Sequence, residues 1–143
     1  MRHRLFHAAL LWLAGCSPIE DRQRVELMDR IEHLIQLPVG AYPLNSYARA
    51  YKFSSQDQVR AFYFLPDLKY DQWFCDGAKR GGRTNGQVAL ACPPPEGMKA
   101  DERRWFGDDV YLPDVCDGGC GFIDVEYNLK SGAVVSVRCH GHA

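Results

Sequence analysis

The last quarter of the chain has the most regular alternation of apolar and polar positions. From Gly121 to Leu129, and again from Ala133 to Cys139, apolar residues recur at every second position, which is the period of a strand with one buried face. The intervening Lys130-Ser131-Gly132 is a three-residue loop ending in glycine, typical of a type I turn followed by a bulge. The pattern therefore predicts a β-hairpin in which four pairs face one another: Leu129–Ala133, Tyr127–Val135, Val125–Val137 and Ile123–Cys139.

Near the other end of the chain, apolar residues recur at steps of three and four, as in an amphipathic helix. These residues are Val25, Met28, Ile31, Leu34 and Ile35. Ser17 to Glu20 fits a capping box with Pro18 at the first helical position. We expect a helix to about Leu37, ended by Pro38 and Gly40, with its apolar stripe facing the core.

Between these regions, aromatic and β-branched runs alternate with polar turns. Arg49–Phe53 and Val59–Leu65 are predicted as two strands, Gln87–Cys92 as a third short one, and a further strand is expected near Gly107. Together the patterns predict an α+β fold: an N-terminal helix packed on one face of a small antiparallel sheet of four to six strands, ending in the C-terminal β-hairpin. No linker divides residues 16–143, which we expect to form a single globular domain.

The first sixteen residues have the features of an export signal. Arg2 and Arg4 precede an apolar run, Leu5 to Leu13, that is too short to span a bilayer as a permanent helix. The run ends in Leu13-Ala14-Gly15-Cys16, which resembles the lipobox of bacterial lipoprotein precursors. That resemblance implies that residues 1–15 are a signal peptide and that Cys16 is the lipidation site.

The resemblance also implies where the protein resides. Two or three acyl chains hold a protein stably on a membrane, so the membrane is the first expected partner. Ser17 follows the cysteine, and the absence of Asp there is similar to the sorting pattern of outer-membrane lipoproteins. The expected location is the cell envelope, with the domain anchored to the outer membrane and facing the periplasm.

The charge balance argues against a nucleic-acid partner. The chain has 17 basic and 18 acidic side chains, and removal of Arg2 and Arg4 leaves 15 against 18, a net charge of -3. Nucleic-acid binding needs a concentrated basic face.

The aromatic-rich stretch from Tyr42 to Phe64 is expected to lie mostly in the core, and an exposed subset would form a ligand-binding or protein-binding surface.

Five cysteines remain once Cys16 is lipidated: Cys75, Cys92, Cys116, Cys120 and Cys139. An exported chain meets an oxidising compartment, so disulfides are expected, and the odd number leaves one thiol over. Cys120–Cys139 is the favoured pair and Cys116–Cys139 the alternative. The hairpin register places Cys120 and Cys139 on opposite faces, so the neighbouring glycines would have to bend the chain.

A metal site is the competing interpretation of the same region. Cys116, Cys120, His140 and His142 offer thiolate and imidazole ligands suited to zinc or copper. The spacing matches no strong zinc pattern, and the histidines by themselves are typical of an exposed tail, so no cofactor is predicted. Asp124 and Glu126 fall on the outward face of the hairpin, as surface residues do.

The chain carries no nucleophile elbow, zinc-protease motif or phosphate-binding glycine loop. The predicted function is therefore non-catalytic: a membrane-anchored envelope lipoprotein that binds a protein partner or has a structural role. The alternative is a small metal carrier or enzyme that uses the Cys/His-rich C-terminal region.

Overall fold

The computed structural model describes residues 18–66, 97–108, 110, 112 and 118–141. Within them lie one α-helix and five strands. Their bounds are α1 Pro18–Leu34, β1 Ala48–Ser55, β2 Gln58–Phe64, β3 Arg103–Trp105, β4 Phe122–Asn128 and β5 Ala133–Cys139. The α+β class predicted from the sequence is confirmed. No helix among these residues is long and apolar enough to cross a membrane.

The five strands form one mixed sheet in the order β3-β1-β2-β4-β5. The pairs β1–β2, β2–β4 and β4–β5 are antiparallel, whereas β3 pairs parallel to β1. The prediction of an entirely antiparallel sheet is therefore wrong at one edge. A parallel neighbour needs a long crossover connection, and the chain between Phe64 and Arg103 provides one, but alternation alone does not reveal strand direction.

The β4–β5 pairing matches the predicted register in part. Ile123 faces Cys139 and Val125 faces Val137, but Tyr127 faces Val134 and Asn128 faces Ala133. The register shifts between Glu126 and Tyr127, where Val135 is an extra residue in β5. In the turn after β4, the Asn128 side chain accepts the backbone N–H of Ser131 at 2.9 Å. Leu129 donates its own N–H to the carbonyl of Asp57 at 2.8 Å instead of pairing with β5. The pairs Tyr127–Val135 and Leu129–Ala133 were therefore predicted wrongly.

Helix α1 ends at Leu34, three residues before the predicted end. Pro38 explains the early end, because its ring would clash with the carbonyl of Leu34 and it has no N–H to donate there. Met28 and Ile31 are buried, but Val25 and Leu34 are 45% and 44% exposed, so the buried stripe is narrower than predicted. The predicted capping residue Ser17 lies outside the described residues.

Both faces of the sheet are buried, which the alternation pattern did not predict. On the helix side, Met28 and Ile31 pack with tyrosines and aliphatic residues of the sheet. That core comprises Met28, Ile31, Tyr47, Tyr51, Val59, Ala61, Tyr63, Ile123, Val125 and Tyr127. The opposite core comprises Ala48, Ala50, Phe62, Phe64, Met98, Leu112 and Phe122, with Phe106 packed against it. Phe122, which alternates with the helix-side residues of β4, is therefore a core residue of the opposite face.

Candidate functional site

The turn that precedes β4 contains the disulfide. Cys120 is bonded to Cys139, 19 residues later in the chain, which is the pairing that the sequence favoured. Gly118 and Gly119 have positive φ angles of 117° and 57°, and a Cβ on Gly118 would lie 2.6 Å from the Phe122 ring. These glycines form the bend that brings Cys120 to Cys139. Closing a loop of this length stabilises a fold by about 3 kcal/mol.

The segment after α1 is fastened to this disulfide. The Tyr47 hydroxyl donates to the carbonyl of Cys120 at 2.6 Å and accepts the backbone N–H of Tyr42 at 2.9 Å. Burial raises the pKa of Tyr47 above its ordinary value, so the hydroxyl keeps its donor proton. The Cys120 sulfur lies 3.8 Å from the carbonyl oxygen of Val39.

Three apolar side chains of this segment point into solvent. Val39 is fully exposed, Tyr42 is 52% exposed and Leu34 is nearly half exposed. We call Leu34, Val39 and Tyr42 the 34–42 surface. The backbone beneath it is held by the Tyr47 hydroxyl and by a hydrogen bond from Ala41 N–H to the Pro38 carbonyl at 3.0 Å. The surface is therefore apolar and carried by an ordered backbone.

A network of charged side chains lies between α1 and the sheet. Arg49 of β1 is only 5% exposed; its Nε is 3.4 Å from Glu32 Oε1, and its Nη2 donates to Asp101 Oδ1 at 2.6 Å. The same Nη2 donates to the Asp101 carbonyl at 2.9 Å. Asp101 has a φ of 65°, a backbone conformation that non-glycine residues rarely adopt. Its two bonds to Arg49 help to hold that conformation.

Two tyrosines complete this network. Tyr51 donates its hydroxyl to Glu32 Oε1 at 2.7 Å, and the hydroxyls of Tyr51 and Tyr63 are 2.9 Å apart. Burial raises the pKa of both far above the ordinary value, so both remain protonated. Arg103 of β3 hydrogen-bonds to Asp29, which raises the pKa of that arginine. Every group named here has an internal partner, so the network joins the helix to β1 and β3.

A second charged group lies on the opposite side of the sheet. His140, whose side chain is 6% exposed, places Nε2 2.9 Å from Asp124 Oδ2. The other carboxylate oxygen accepts Arg60 Nη2 at 2.9 Å and Nε at 3.1 Å. The imidazole packs edge-on against Phe62 and Phe122, with ring centres 5.9 and 6.1 Å away. The predictions of an exposed tail histidine and a surface Asp124 are both wrong.

The reason for that error lies in the neighbouring strand. Ala61–Leu65 is a continuous apolar run, which is typical of a strand covered on both faces. Asp124 faces Phe62 in the β2–β4 register, so it shares the covered side. The run was a signal that could have indicated a partly buried Asp124.

The disulfide bears directly on the alternative metal site. With its sulfur bonded to Cys139, Cys120 has no thiolate to offer, and the His140 ring is turned toward Asp124. Within the described ranges, no group of three or more His, Cys, Asp or Glu side chains could hold a metal ion. Cys116 and His142, the other two predicted ligands, lie outside those ranges.

A cleft of about 510 Å³ opens at the turn between β1 and β2. We call it the hairpin cleft. Its lining comprises Phe53, Ser54, Ser55, Gln56 and Asp108. A smaller cleft of about 180 Å³ shares Phe53 and Ser54 and adds Lys52, Arg60 and Leu112. Nothing in the hydrophobic pattern marked this region, because the cleft needs Asp108, which is more than 50 residues away from the other lining residues.

The lipidation site Cys16 and the disulfide candidates Cys75, Cys92 and Cys116 lie outside the described residues. Of the predicted site residues, the structure thus brings together Cys120 with Cys139, and it places His140 beside Asp124. The sequence reasoning missed Arg49, Arg60 and the hairpin cleft. No protein-family model matches the chain, and no curated protein or solved structure matches it either.

Proposed function

We propose that this chain is a non-catalytic lipoprotein of the cell envelope that binds a protein partner through the 34–42 surface. In this proposal Cys16 carries the lipid, and the domain is anchored to the outer membrane and faces the periplasm. The resemblance of Leu13 to Cys16 to a lipobox supports the anchor. The Cys120–Cys139 disulfide supports an oxidising compartment.

The observation that carries the binding function is the exposure of Val39 and Tyr42 on an ordered backbone. Aromatic and aliphatic side chains of this kind supply much of the binding free energy at protein interfaces. Because Tyr47 and the disulfide already hold the segment, little conformational entropy is lost when a partner binds.

Helix α1 sets the distance between the proposed lipid anchor and the 34–42 surface. Helix α1 begins at Pro18, two residues after the proposed anchor, and its 17 residues rise by about 25 Å. The 34–42 surface begins at the far end of that helix. The 34–42 surface therefore lies within about one helix length of the proposed anchor, and a partner must bind within that distance of the membrane.

Site-specific photocrosslinking in intact cells tests both parts of the proposal. A photoreactive phenylalanine analogue replaces Tyr42 in the full-length protein, and a matched control places it at Ser131, an exposed residue of the β4–β5 turn. We expect one protein adduct from position 42, absent from position 131, and a weaker adduct after Val39→Asp. A Cys16→Ala variant should leave the membrane fraction.

Crosslinking tests the binding surface, and membrane fractionation tests the lipid anchor, so each part of the proposal can be rejected independently. No adduct from position 42, or equal adducts from both positions, would exclude the 34–42 surface as a protein-binding site. A Cys16→Ala variant that stays in the membrane fraction would exclude the lipid anchor.

A further inference from the structure

The hairpin cleft lies at an irregularity in the sheet. The β1–β2 register is regular from Ala48 to Phe53 and then shifts, so that Ser54 is an extra residue before Ser55 pairs with Gln58. Bulges of this kind turn side chains out of the regular pleat and are common beside functional sites. Here the bulge lies between Phe53 and Ser55, both of which line the cleft.

The aromatic wall of the cleft is fixed by its neighbours. The Phe53 ring packs edge-on against Trp105, with ring centres 4.8 Å apart. Trp105 in turn lies nearly parallel to the buried Tyr51 at 6.3 Å, and the Arg24 guanidinium lies 6.0 Å from its ring centre. The Phe53 ring is therefore held in place before any ligand binds.

The β1–β2 turn, at the end of the cleft, is hydrogen-bonded to the β4–β5 hairpin. Lys130 Nζ lies 2.6 Å from Asp57 Oδ2, and the Leu129 N–H donates to the Asp57 carbonyl at 2.8 Å. Gln56, which lines the cleft, is the residue before Asp57 in this turn.

The facing wall is fastened to β1. Lys52 Nζ donates to the carbonyls of Asp108 at 3.3 Å and Val110 at 2.7 Å. The backbone N–H of Phe106 donates to the Tyr51 carbonyl at 2.8 Å. The cleft is thus a preformed site, and its volume is within the range of small-molecule sites.

The chemistry of the lining indicates the class of ligand. Among the described lining residues, Phe53 supplies an aromatic ring, and the polar groups are two hydroxyls, one carboxamide and the Asp108 carboxylate. The neighbouring cations are already engaged: Lys52 with backbone carbonyls, and Arg60 with Asp124. The described part of the site therefore offers several hydrogen-bonding groups and an apolar ring, and among the described residues no cation is directed to an anionic ligand.

We propose that the hairpin cleft binds a neutral saccharide. The Phe53 ring packs against the apolar C–H face of a sugar. The Asp108 carboxylate accepts hydrogen bonds from sugar hydroxyls, and the Gln56 carboxamide both donates and accepts them. This site does not involve the 34–42 surface, so either proposal can fail without the other.

The test is a titration of the full-length protein, purified in detergent, with cellotetraose, chitotetraose and maltotetraose, followed by calorimetry and by amide chemical shifts. We expect at least one of them to bind with a Kd below about 1 mM and to shift the amides of Ser54, Ser55 and Gln56. Phe53→Ala and Asp108→Ala should each weaken binding by about tenfold or more. Val135→Ala, on the distant edge strand β5, should change it by less than about twofold.

Tetralysine is titrated in parallel as a cationic probe of the Asp108 carboxylate. Binding of tetralysine at these amides with no response to any saccharide would overturn the proposal, as would the absence of binding by all four probes. Saccharide binding that survives both Phe53→Ala and Asp108→Ala would place the sugar elsewhere and would also overturn it. Circular dichroism of both variants establishes that they are folded.

Discussion

The two sides of the sheet bury different kinds of aromatic residue. On the helix side the buried rings of the sheet are Tyr47, Tyr51, Tyr63 and Tyr127. On the opposite side they are Phe62, Phe64 and Phe122. Three of the four tyrosine hydroxyls are hydrogen-bonded to protein groups, whereas the Tyr127 hydroxyl is buried without a hydrogen-bond partner among the described residues.

The difference follows from what covers each side. Helix α1 brings the carboxylates of Asp29 and Glu32 toward the sheet, where Arg49 and Arg103 pair with them. Buried charges need further hydrogen bonds, and Tyr51 provides one to Glu32. The opposite side is covered by apolar residues such as Met98 and Leu112, and its charged side chains Arg60 and Asp124 are paired with each other. Among the described residues, a hydroxyl added there would therefore have few partners.

The largest expected effect comes from breaking the helix-side charge network with Arg49→Met. The substitution removes the buried partner of Glu32, which keeps only the more exposed Arg103 at 3.5 Å, and it removes both hydrogen bonds to Asp101. Loss of one member of a buried ion pair costs about 3–5 kcal/mol. Urea unfolding measures the change in the free energy of unfolding. Arg138→Met is the control, because Arg138 is exposed and 3.6 Å from Glu126, and its loss should cost below about 0.5 kcal/mol. A loss below about 1 kcal/mol for Arg49→Met would contradict the assigned role.

The second-largest expected effect is a loss of folding stability at alkaline pH, caused by the buried tyrosines on the helix side. The folded pKa values of Tyr51 and Tyr63 lie above the ordinary value of 10.0, so above that pH the unfolded state loses protons that the folded state keeps. Stability is therefore complete below pH 10 and falls as the pH rises, by up to about 1.4 kcal/mol per group and pH unit. Urea unfolding at increasing pH, with tyrosinate absorbance as the second readout, measures this. Ionisation of all seven tyrosines in the folded protein near pH 10 would refute it.

Exchanging one hydroxyl between the sides sharpens the comparison. Tyr51→Phe removes the donor to Glu32 and one partner of Tyr63, and Phe64→Tyr adds a hydroxyl to the apolar side. Both should destabilise by about 2 kcal/mol, the first by leaving a buried carboxylate short of a partner and the second by burying an unpaired hydroxyl. Thermal unfolding measures both. A neutral Phe64→Tyr would show that an added hydroxyl finds a hydrogen-bond partner in the phenylalanine core, and the contrast between the two cores would then be lost.

The smallest expected effect is that of Tyr127→Phe. Because the Tyr127 hydroxyl is buried and has no hydrogen-bond partner in the part of the chain that the structure describes, its removal should leave stability unchanged or raise it by up to about 1 kcal/mol. The matched comparison is Tyr51→Phe, the same chemical change at a bonded hydroxyl. If Tyr127→Phe destabilised the protein as much as Tyr51→Phe, the hydroxyl would have a bound partner such as water.

Local patterns in the sequence were enough for the elements that depend on near neighbours. The periodicity around Met28 and Ile31 predicted α1. Aromatic and β-branched runs predicted β1 and β2, and alternation predicted β4 and β5, to within a few residues at their ends. The Cys120–Cys139 pairing could also be predicted, because the glycines beside Cys120 and the hairpin bring those two positions to the same end of the sheet. In each case the information lies within about twenty residues of chain.

Only the tertiary structure decided which polar residues meet. Arg49 bonds to Asp101 across 52 residues, and Arg60 bonds to Asp124 across 64, and no periodicity relates such distant positions. The parallel β3, the second buried face of the sheet and the hairpin cleft have the same origin, since each requires the long connection after β2 to return to the sheet. The sequence alone determined where strands, helix and disulfide form, whereas long-range packing decided which of their side chains were buried, paired or exposed for binding.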